Sequence, residues 1–268
     1  MLSDPAAVPY TVGVSLKMYF GHARTVEWAA ALGDIARRHA AVRSGLVDLF
    51  VVPTFPSILP VREALGDAPV RLGAQDIAWA DEGAFTGEVS GVELREIGCT
   101  LAEIGHAERR SLFHEGDDVI AAKTAAAFRN GLTPLLCVGE ETKAPPAVAA
   151  LEVESQLRAA LAAADRTGLA GPIIVAYEPQ WAIGAAEPAS PQHITQTVAR
   201  LESLVDDLPG RAGSRVIYGG SAKPGLLTAL GGTVKGLFLG RFAHDPRAVT
   251  LILDEVVALA SVRAGGTA

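Results

Sequence analysis

Short apolar runs, rich in β-branched residues and bounded by Gly, Pro and polar residues, recur along the whole chain. Each has the length of a buried strand, and most lack the strict alternation of a strand with one wet face. Eight runs are recognisable, at residues 11–16, 46–52, 70–75, 100–105, 133–139, 172–178, 214–220 and 234–240. This pattern is typical of a parallel sheet that is covered on its outer face.

Stretches rich in Ala, Leu, Arg and Glu separate these runs, and their apolar residues recur at steps of three and four. The clearest predict helices over residues 24–42, 117–130, 148–165 and 191–207. A doubly wound open sheet is disfavoured, because the segment after the first run, "SLKMYFGH", lacks the G-x-G-x-x-G turn. Eight strand and helix pairs without a linker instead predict an α/β fold, a single (β/α)8 or TIM barrel domain over residues 1–268.

The composition narrows the classes of partner. A net charge of -7 argues against a chain that coats nucleic acid or an anionic membrane, although a local basic pocket for a phosphate stays open. The two cysteines, Cys99 and Cys137, are too few for a disulfide framework or a zinc site. With no basic and apolar leader at the start and no apolar run of membrane-spanning length, we expect a soluble, cytoplasmic protein.

Polar groups stand at the ends of four predicted strands. Lys17 follows the first, His106 and Glu108 follow the fourth, Glu178 ends the sixth, and Ser221 follows the seventh. Barrel enzymes carry their reacting groups at the C-terminal ends of strands, so these side chains are expected to converge. A lysine, a histidine and a glutamate at one mouth suit proton transfer next to a carbonyl, which needs neither metal nor organic cofactor.

Several segments resemble the triosephosphate isomerase family. "GHAERR" is similar to its G-H-S-E-R-R, "AYEPQWAIG" to its A-Y-E-P-x-W-A-I-G, and "YGGSAKP" to its Y-G-G-S-V-K-P. "GAFTGEVS" and "LLCVGE" match in the same order, so the resemblance covers about residues 10–262. Ordered motifs at matching intervals are specific, whereas any one alone is weak.

The resemblance implies a role for each matched residue. Glu178 would be the base that moves a proton between adjacent carbons, and His106 the electrophile at the substrate oxygens. Lys17 would stabilise the enediolate, with Glu108 holding this geometry. The plainer alternatives are a solvated Glu178, a His106 that is only a core polar group, and a Glu108 that pairs with a neighbouring arginine.

The resemblance also implies a phosphate site and a lid. Gly184, Ser221 and Gly240 would contact the phosphate, chiefly through backbone amides, and "PQWAIGA" would close over the substrate to exclude water. An ordinary turn role for these glycine and serine residues is the alternative. The segment over residues 76–90 resembles the family loop that inserts into a partner subunit, which predicts a homodimer.

Among the departures from the family pattern, two concern positions that contact the substrate. The family has N-W-K-M-N where this chain has "SLKMY", so Ser15 replaces an asparagine that touches the substrate, and Arg241 replaces the second glycine of V-G-G-A-S. Arg241 could enter the phosphate loop or turn outward to a surface carboxylate. If it enters, both changes suit a longer sugar phosphate.

The resemblance therefore predicts a sugar-phosphate isomerase acting on a small phosphorylated sugar. The family's tetrose-phosphate branch interconverts L-erythrulose 1-phosphate and D-erythrulose 4-phosphate, and we favour that branch. Ordinary triosephosphate isomerase is the alternative. A non-catalytic sugar-phosphate sensor and a purely structural homologue are disfavoured, because a binding module would not need Glu178 as a base.

Overall fold

A computed structural model describes residues 10–265, with side chains described through residue 262. It contains a closed barrel of eight parallel strands in sequence order, each paired with its neighbours along the chain. The strands are β1 (Tyr10–Ser15), β2 (Val47–Val52), β3 (Arg71–Ala74), β4 (Leu101–Ile104), β5 (Thr133–Val138), β6 (Ile174–Tyr177), β7 (Arg215–Tyr218) and β8 (Gly236–Leu239). The predicted (β/α)8 barrel is confirmed, whereas the ends of the predicted domain over 1–268 lie outside the described residues.

Helices surround the barrel on its outer face. They are α1 (His22–Arg38), α2 (Ala40–Arg43), α3 (Ile58–Leu65), α4 (Gly91–Glu96), α5 (Ala107–Leu112), α6 (Asp117–Arg129), α7 (Pro146–Arg166), α8 (Pro191–Asp207), α9 (Leu226–Ala229) and α10 (Arg247–Gly265). Short 3-10 turns occupy Phe55–Ser57, Gln180–Ala182 and Arg241–Ala243. None of the helices in the described part of the chain is long and apolar enough to cross a membrane.

One helix prediction is wrong. The region predicted as a single helix over 24–42 forms α1 and α2, which are separated at His39. The backbone of His39 is extended, and its ring Nδ1 accepts a hydrogen bond from the amide of Ala41. His39 therefore ends one helix and caps the next, a local interaction that apolar periodicity does not report.

The core has two layers. Alternate strand residues point into the barrel, where they form an apolar cluster that includes Phe50, Leu101, Leu135 and Phe238, while the others pack against the helices. The interior is filled rather than hollow: a Cβ at Gly13 would lie 2.0 Å from the ring of Phe50. The open end, where the strands finish, is the face of the barrel at which a reacting site can form.

Candidate active site

A cavity of about 320 Å³ opens at the C-terminal ends of the strands. It draws together residues that lie more than 200 positions apart in the chain, from the segments that follow β1, β4, β6, β7 and β8. Its walls contain Ser15, Lys17, Glu108, Glu178, Gly184, Ser221, Gly240 and Arg241. The ninth predicted site residue, His106, lies against Glu108 and Glu178.

Lys17 stands directly after β1 in a strained backbone conformation, with a φ of 45°. The side-chain amide of Gln75 holds this turn, because it donates to the carbonyl oxygens of Lys17 and Val52 at 3.1 and 3.0 Å. The ammonium donates to Glu108 at 2.8 Å. Burial lowers the pKa of Lys17, but the hydrogen bond to Glu108 and the charge of Glu178 outweigh it, so the pKa is raised and the ammonium stays charged.

His106 caps the N-terminus of α5, and this cap determines which ring nitrogen lies near Glu178. Nδ1 accepts from the backbone amide of Glu108 at 3.1 Å, so the neutral ring carries its proton on Nε2. Burial lowers the pKa of His106, although the charge of Glu178 acts in the opposite direction. The lowered pKa favours the neutral form. The ring thus directs an N–H donor towards Glu178.

Glu178 follows β6 and is buried with its carboxylate towards His106. Its Oε2 lies 3.7 Å from Nε2 of His106, and neither atom has a hydrogen-bond partner among residues 10–262. Gly219 leaves room for the side chain, since a Cβ there would lie 2.6 Å from Oε1 of Glu178. Two buried polar atoms that lie this close together, each short of a hydrogen bond, are suited to contact the same bound group.

The partner of Glu108 is Lys17 rather than an arginine. Its carboxylate bonds the ammonium of Lys17 and also lies 3.6 Å from Nδ1 of His106. The two neighbouring arginines have other partners: Arg109 pairs with Asp76 and Glu115, and Arg110 pairs with Asp117. Burial raises the pKa of Glu108, but the bond from Lys17 outweighs it, so the pKa is lowered and the group stays ionised. The alternative in which Glu108 pairs with its neighbouring arginines is therefore wrong.

The segment from Gln180 to Ser190 crosses over the cavity and is tied to the barrel at several points. The hydroxyl of Ser221 lies 2.7 and 3.0 Å from the carbonyl oxygens of Ala182 and Ala185. Arg241 lines the cavity and donates to the carbonyl oxygen of Gly184 at 3.0 Å, rather than turning outward to a carboxylate. Gly184 has a φ of 73°, a conformation that favours glycine.

Sequence reasoning missed three residues at this mouth. Gln75 supports the turn of Lys17, Gly219 makes space for Glu178, and Glu103 on β4 accepts a hydrogen bond from Ser15 at 3.2 Å. Gln75 and Gly219 each lie at the end of a predicted strand, a position that could have identified them. A carboxylate inside the apolar run "TLAEIG" was the available signal for Glu103.

The arrangement defines a class of protein. A neutral imidazole N–H, a carboxylate facing it and a charged ammonium at one barrel mouth form an acid and base site that suits isomerisation next to a carbonyl. In the described residues, no group of three or more His, Cys, Asp or Glu side chains is placed to hold a metal ion.

Comparison with known proteins agrees with this class. The family model described as triosephosphate isomerase matches residues 10–256. The chain is 52% identical to the L-erythrulose-1-phosphate isomerase of Pectobacterium atrosepticum over 94% of the chain and 97% of that protein. It is 39% identical to the protein of the same name from Rhizobium etli, over 92% of each chain. It is 40% identical to the triosephosphate isomerase of Alkalilimnicola ehrlichii, over 81% of the chain and 89% of the relative.

The chain belongs to the triosephosphate isomerase family and is a sugar-phosphate isomerase, an intramolecular oxidoreductase. The resemblance stated from the motifs is thereby confirmed. The relatives carry two different substrate names, so family membership leaves the substrate to be argued from the pocket.

Proposed function

We propose that this isomerase interconverts L-erythrulose 1-phosphate and D-erythrulose 4-phosphate. The observation that carries the chemistry is the 3.7 Å gap between His106 Nε2 and Glu178 Oε2, beside the Lys17 ammonium in a cavity. The 52% identity to an L-erythrulose-1-phosphate isomerase supports the choice of substrate. So do the two pocket positions, Ser15 and Arg241, at which the chain departs from the triose pattern.

In the proposed reaction, Glu178 takes the proton from carbon 3 of L-erythrulose 1-phosphate, which leaves an enediolate across carbons 2 and 3. The same carboxyl returns the proton to carbon 2. The neutral His106 ring donates to the oxygens on these carbons and moves a proton from one to the other, so the carbonyl passes from carbon 2 to carbon 3. No atom is gained or lost, and the phosphate stays on its carbon.

The other predicted residues hold the substrate in this scheme. Lys17, kept charged by Glu108, stabilises the enediolate oxygen. Gly184, Ser221 and Gly240 supply backbone amides to the phosphate, and Arg241 adds a charge-assisted contact to the same group. The lid excludes water, which protects an enediolate that could otherwise eliminate phosphate.

The direct test is kcat/KM of the purified protein on L-erythrulose 1-phosphate and on dihydroxyacetone phosphate. We expect the four-carbon substrate to be preferred, and we expect Ser15→Asn and Arg241→Gly each to narrow the ratio by about tenfold to a hundredfold. A wide preference for dihydroxyacetone phosphate would identify an ordinary triosephosphate isomerase. Binding of both sugar phosphates without turnover would identify a sensor.

We further propose a homodimer formed through residues 76–90. This loop exposes Trp79 and Phe85, which pack edge to face at a centroid distance of 5.4 Å. Beside Lys17 and His106 lies a groove of about 390 Å³ with a largely apolar wall that includes the exposed side chains of Met18, Leu112 and Phe113. Apolar side chains on both surfaces support insertion of one copy's loop into the other's groove.

Sedimentation of Phe85→Glu tests this assembly. The variant should shift towards monomer and lose activity, because a charge would enter an apolar groove beside the catalytic residues. Val148→Glu places the same charge on an exposed residue of α7 and should leave the dimer intact. A fully active monomeric wild type would contradict the proposal.

We also propose a cytoplasmic location, which accords with two buried free cysteines.

A further inference from the structure

Glu103 is a carboxyl group in the apolar interior of the barrel. It lies on the inward face of β4, two residues after Leu101 of the interior cluster, and is only 3% exposed. It accepts a hydrogen bond at 3.2 Å from the hydroxyl of Ser15 on β1. Since β1 and β4 are not neighbours in the barrel, this bond crosses the interior.

The pair forms part of the floor beneath the reacting groups. Ser15 lies two residues before Lys17 and lines the same cavity as Lys17 and Glu178. Glu103 lies three residues before His106. The pair is therefore one side-chain layer below the groups assigned to proton transfer.

The pKa of Glu103 is unusual for a glutamate. Burial, together with the charge of Glu178, raises the pKa of Glu103 to about 8, although Lys17 and Ser15 act in the opposite direction. At neutral pH the group is mainly a carboxylic acid, which both donates and accepts hydrogen bonds. A buried acid without a cation to pair with contributes little to stability, because desolvation opposes the hydrogen bond that it makes.

The proposed substrate has a group that needs such a partner. L-erythrulose 1-phosphate differs from dihydroxyacetone phosphate by a hydroxymethyl group on the carbon that loses the proton, at the end remote from the phosphate. The residues assigned to the phosphate follow β6, β7 and β8, whereas Glu103 is on β4, opposite β8 in the closed barrel. A hydroxyl buried without a hydrogen bond would weaken binding.

We propose that Glu103 is a specificity-determining positioning residue, which holds the Ser15 hydroxyl where it bonds the terminal hydroxyl of a four-carbon ketose phosphate. Glu103 acts through Ser15, and the serine makes the contact. A triose phosphate has no group to place there, so the pair is neutral for it. This inference rests on the proposed function and extends it to a residue outside the motifs of the family.

Four variants test the pair. Glu103→Leu and Ser15→Ala should each lower kcat/KM for L-erythrulose 1-phosphate by about tenfold to a hundredfold, and the double variant should be little worse than either one. Glu103→Gln keeps a hydrogen-bonding side chain of the same shape and should stay within about threefold of wild type. Competitive inhibition by inorganic phosphate should be unchanged in all of them, because it reports on the other end of the cavity.

The outcomes separate the possible failures. If wild type strongly prefers dihydroxyacetone phosphate, the proposed function fails and the inference falls with it. Wild type could prefer the four-carbon substrate while Glu103→Leu weakens inhibition by phosphate and lowers kcat/KM equally for both substrates. In that case Glu103 is structural, and only the inference is overturned. Should Glu103→Leu not fold, Ser15→Ala carries the same test, and unchanged discrimination in that variant refutes the pair.

Discussion

Two clusters of charged side chains meet at α5, and consecutive residues of that helix belong to different ones. Glu108 joins the mouth cluster, which consists of Lys17, His106, Glu108 and Glu178. Arg109 joins the buried network, which consists of Asp76, Arg109, Glu115 and Lys123. The mouth cluster is buried at His106 and Glu178 but half-exposed at Glu108, and both clusters join residues that are distant in the chain.

The clusters differ in how well their charges are paired. In the buried network, Lys123 donates to Asp76 at 2.7 Å, while Arg109 lies 2.9 Å from Asp76 and 2.7 Å from Glu115. In the mouth cluster, His106 Nε2 and Glu178 Oε2 stop 3.7 Å apart beside a cavity. Loss of one member of a paired network leaves a buried charge uncompensated and destabilises the fold, whereas polar atoms held short of a partner are poised for a ligand.

The largest expected effect comes from shortening the base. Glu178→Asp withdraws the carboxylate by about one methylene, so kcat should fall by roughly a hundredfold or more while KM changes little. Thermal unfolding should not move to lower temperature, because Oε2 of Glu178 has no hydrogen bond to lose within the described chain. Glu187→Asp, in an exposed part of the lid, is the matched control. A nearly active Glu178→Ala would refute the mechanism.

Breaking the buried network should have the opposite signature. Lys123→Met leaves Arg109 as the one cation shared by Asp76 and Glu115, so a buried carboxylate loses its compensation and the free energy of unfolding should fall by about 3–5 kcal/mol. At a temperature where the variant is folded, kcat should stay close to wild type. Urea unfolding and steady-state kinetics measure the two quantities, with the exposed Lys143→Met as control. A large loss of kcat without destabilisation would place Lys123 in the mechanism.

Glu103 is intermediate between the clusters, because it is buried but has no cation bonded to it. Its pKa is about 8 in the folded protein and near 4.5 when unfolded. Between these values the folded state binds more protons, so the contribution of Glu103 to stability falls as pH rises from about 5 to 8. The free energy of unfolding of wild type should therefore fall by roughly 2–4 kcal/mol relative to that of Glu103→Gln across that window.

Lys17, Glu108 and Glu178, which act on the pKa of Glu103, are present in both proteins, so the comparison with Glu103→Gln removes their own contribution to the pH dependence. An equal pH dependence of the free energy of unfolding in wild type and variant would contradict a raised pKa of Glu103. Urea unfolding at a series of pH values gives the measurement.

The smallest effect concerns the half-exposed ion pair at the mouth. Glu108→Gln removes a hydrogen bond and a charge that raise the pKa of Lys17, so the alkaline limb of the kcat/KM profile should move to lower pH. Stability should change by no more than about 1 kcal/mol, because the pair is partly solvated. Glu93→Gln, on the exposed side of α4, should leave the profile unchanged. An unmoved alkaline limb would show that this pair does not control the titration.

Much of the fold could be predicted from the sequence, because a buried strand is recognisable from the apolar residues of its own segment. All eight strands match the predicted runs to within two residues at each end, and the helix predicted over 191–207 is α8, Pro191–Asp207. Short helices such as α4 and α9 carry too few turns to show a periodicity. The break at His39 depends on one side-chain cap, which a pattern of apolar residues does not contain.

The sequence by itself determined the barrel, the family and the positions of Lys17, His106 and Glu178, since strand ends and ordered motifs are local features of the chain. Only the tertiary structure decided which charges meet. Glu108 has two arginines beside it in the chain, yet it bonds Lys17, 91 positions away. In the sequence Glu103 is part of an apolar run, yet in the fold it accepts a hydrogen bond from Ser15, 88 positions away. Barrel closure sets these distances, and Coulomb and hydrogen-bond energies depend on distance in space, which sequence separation does not encode.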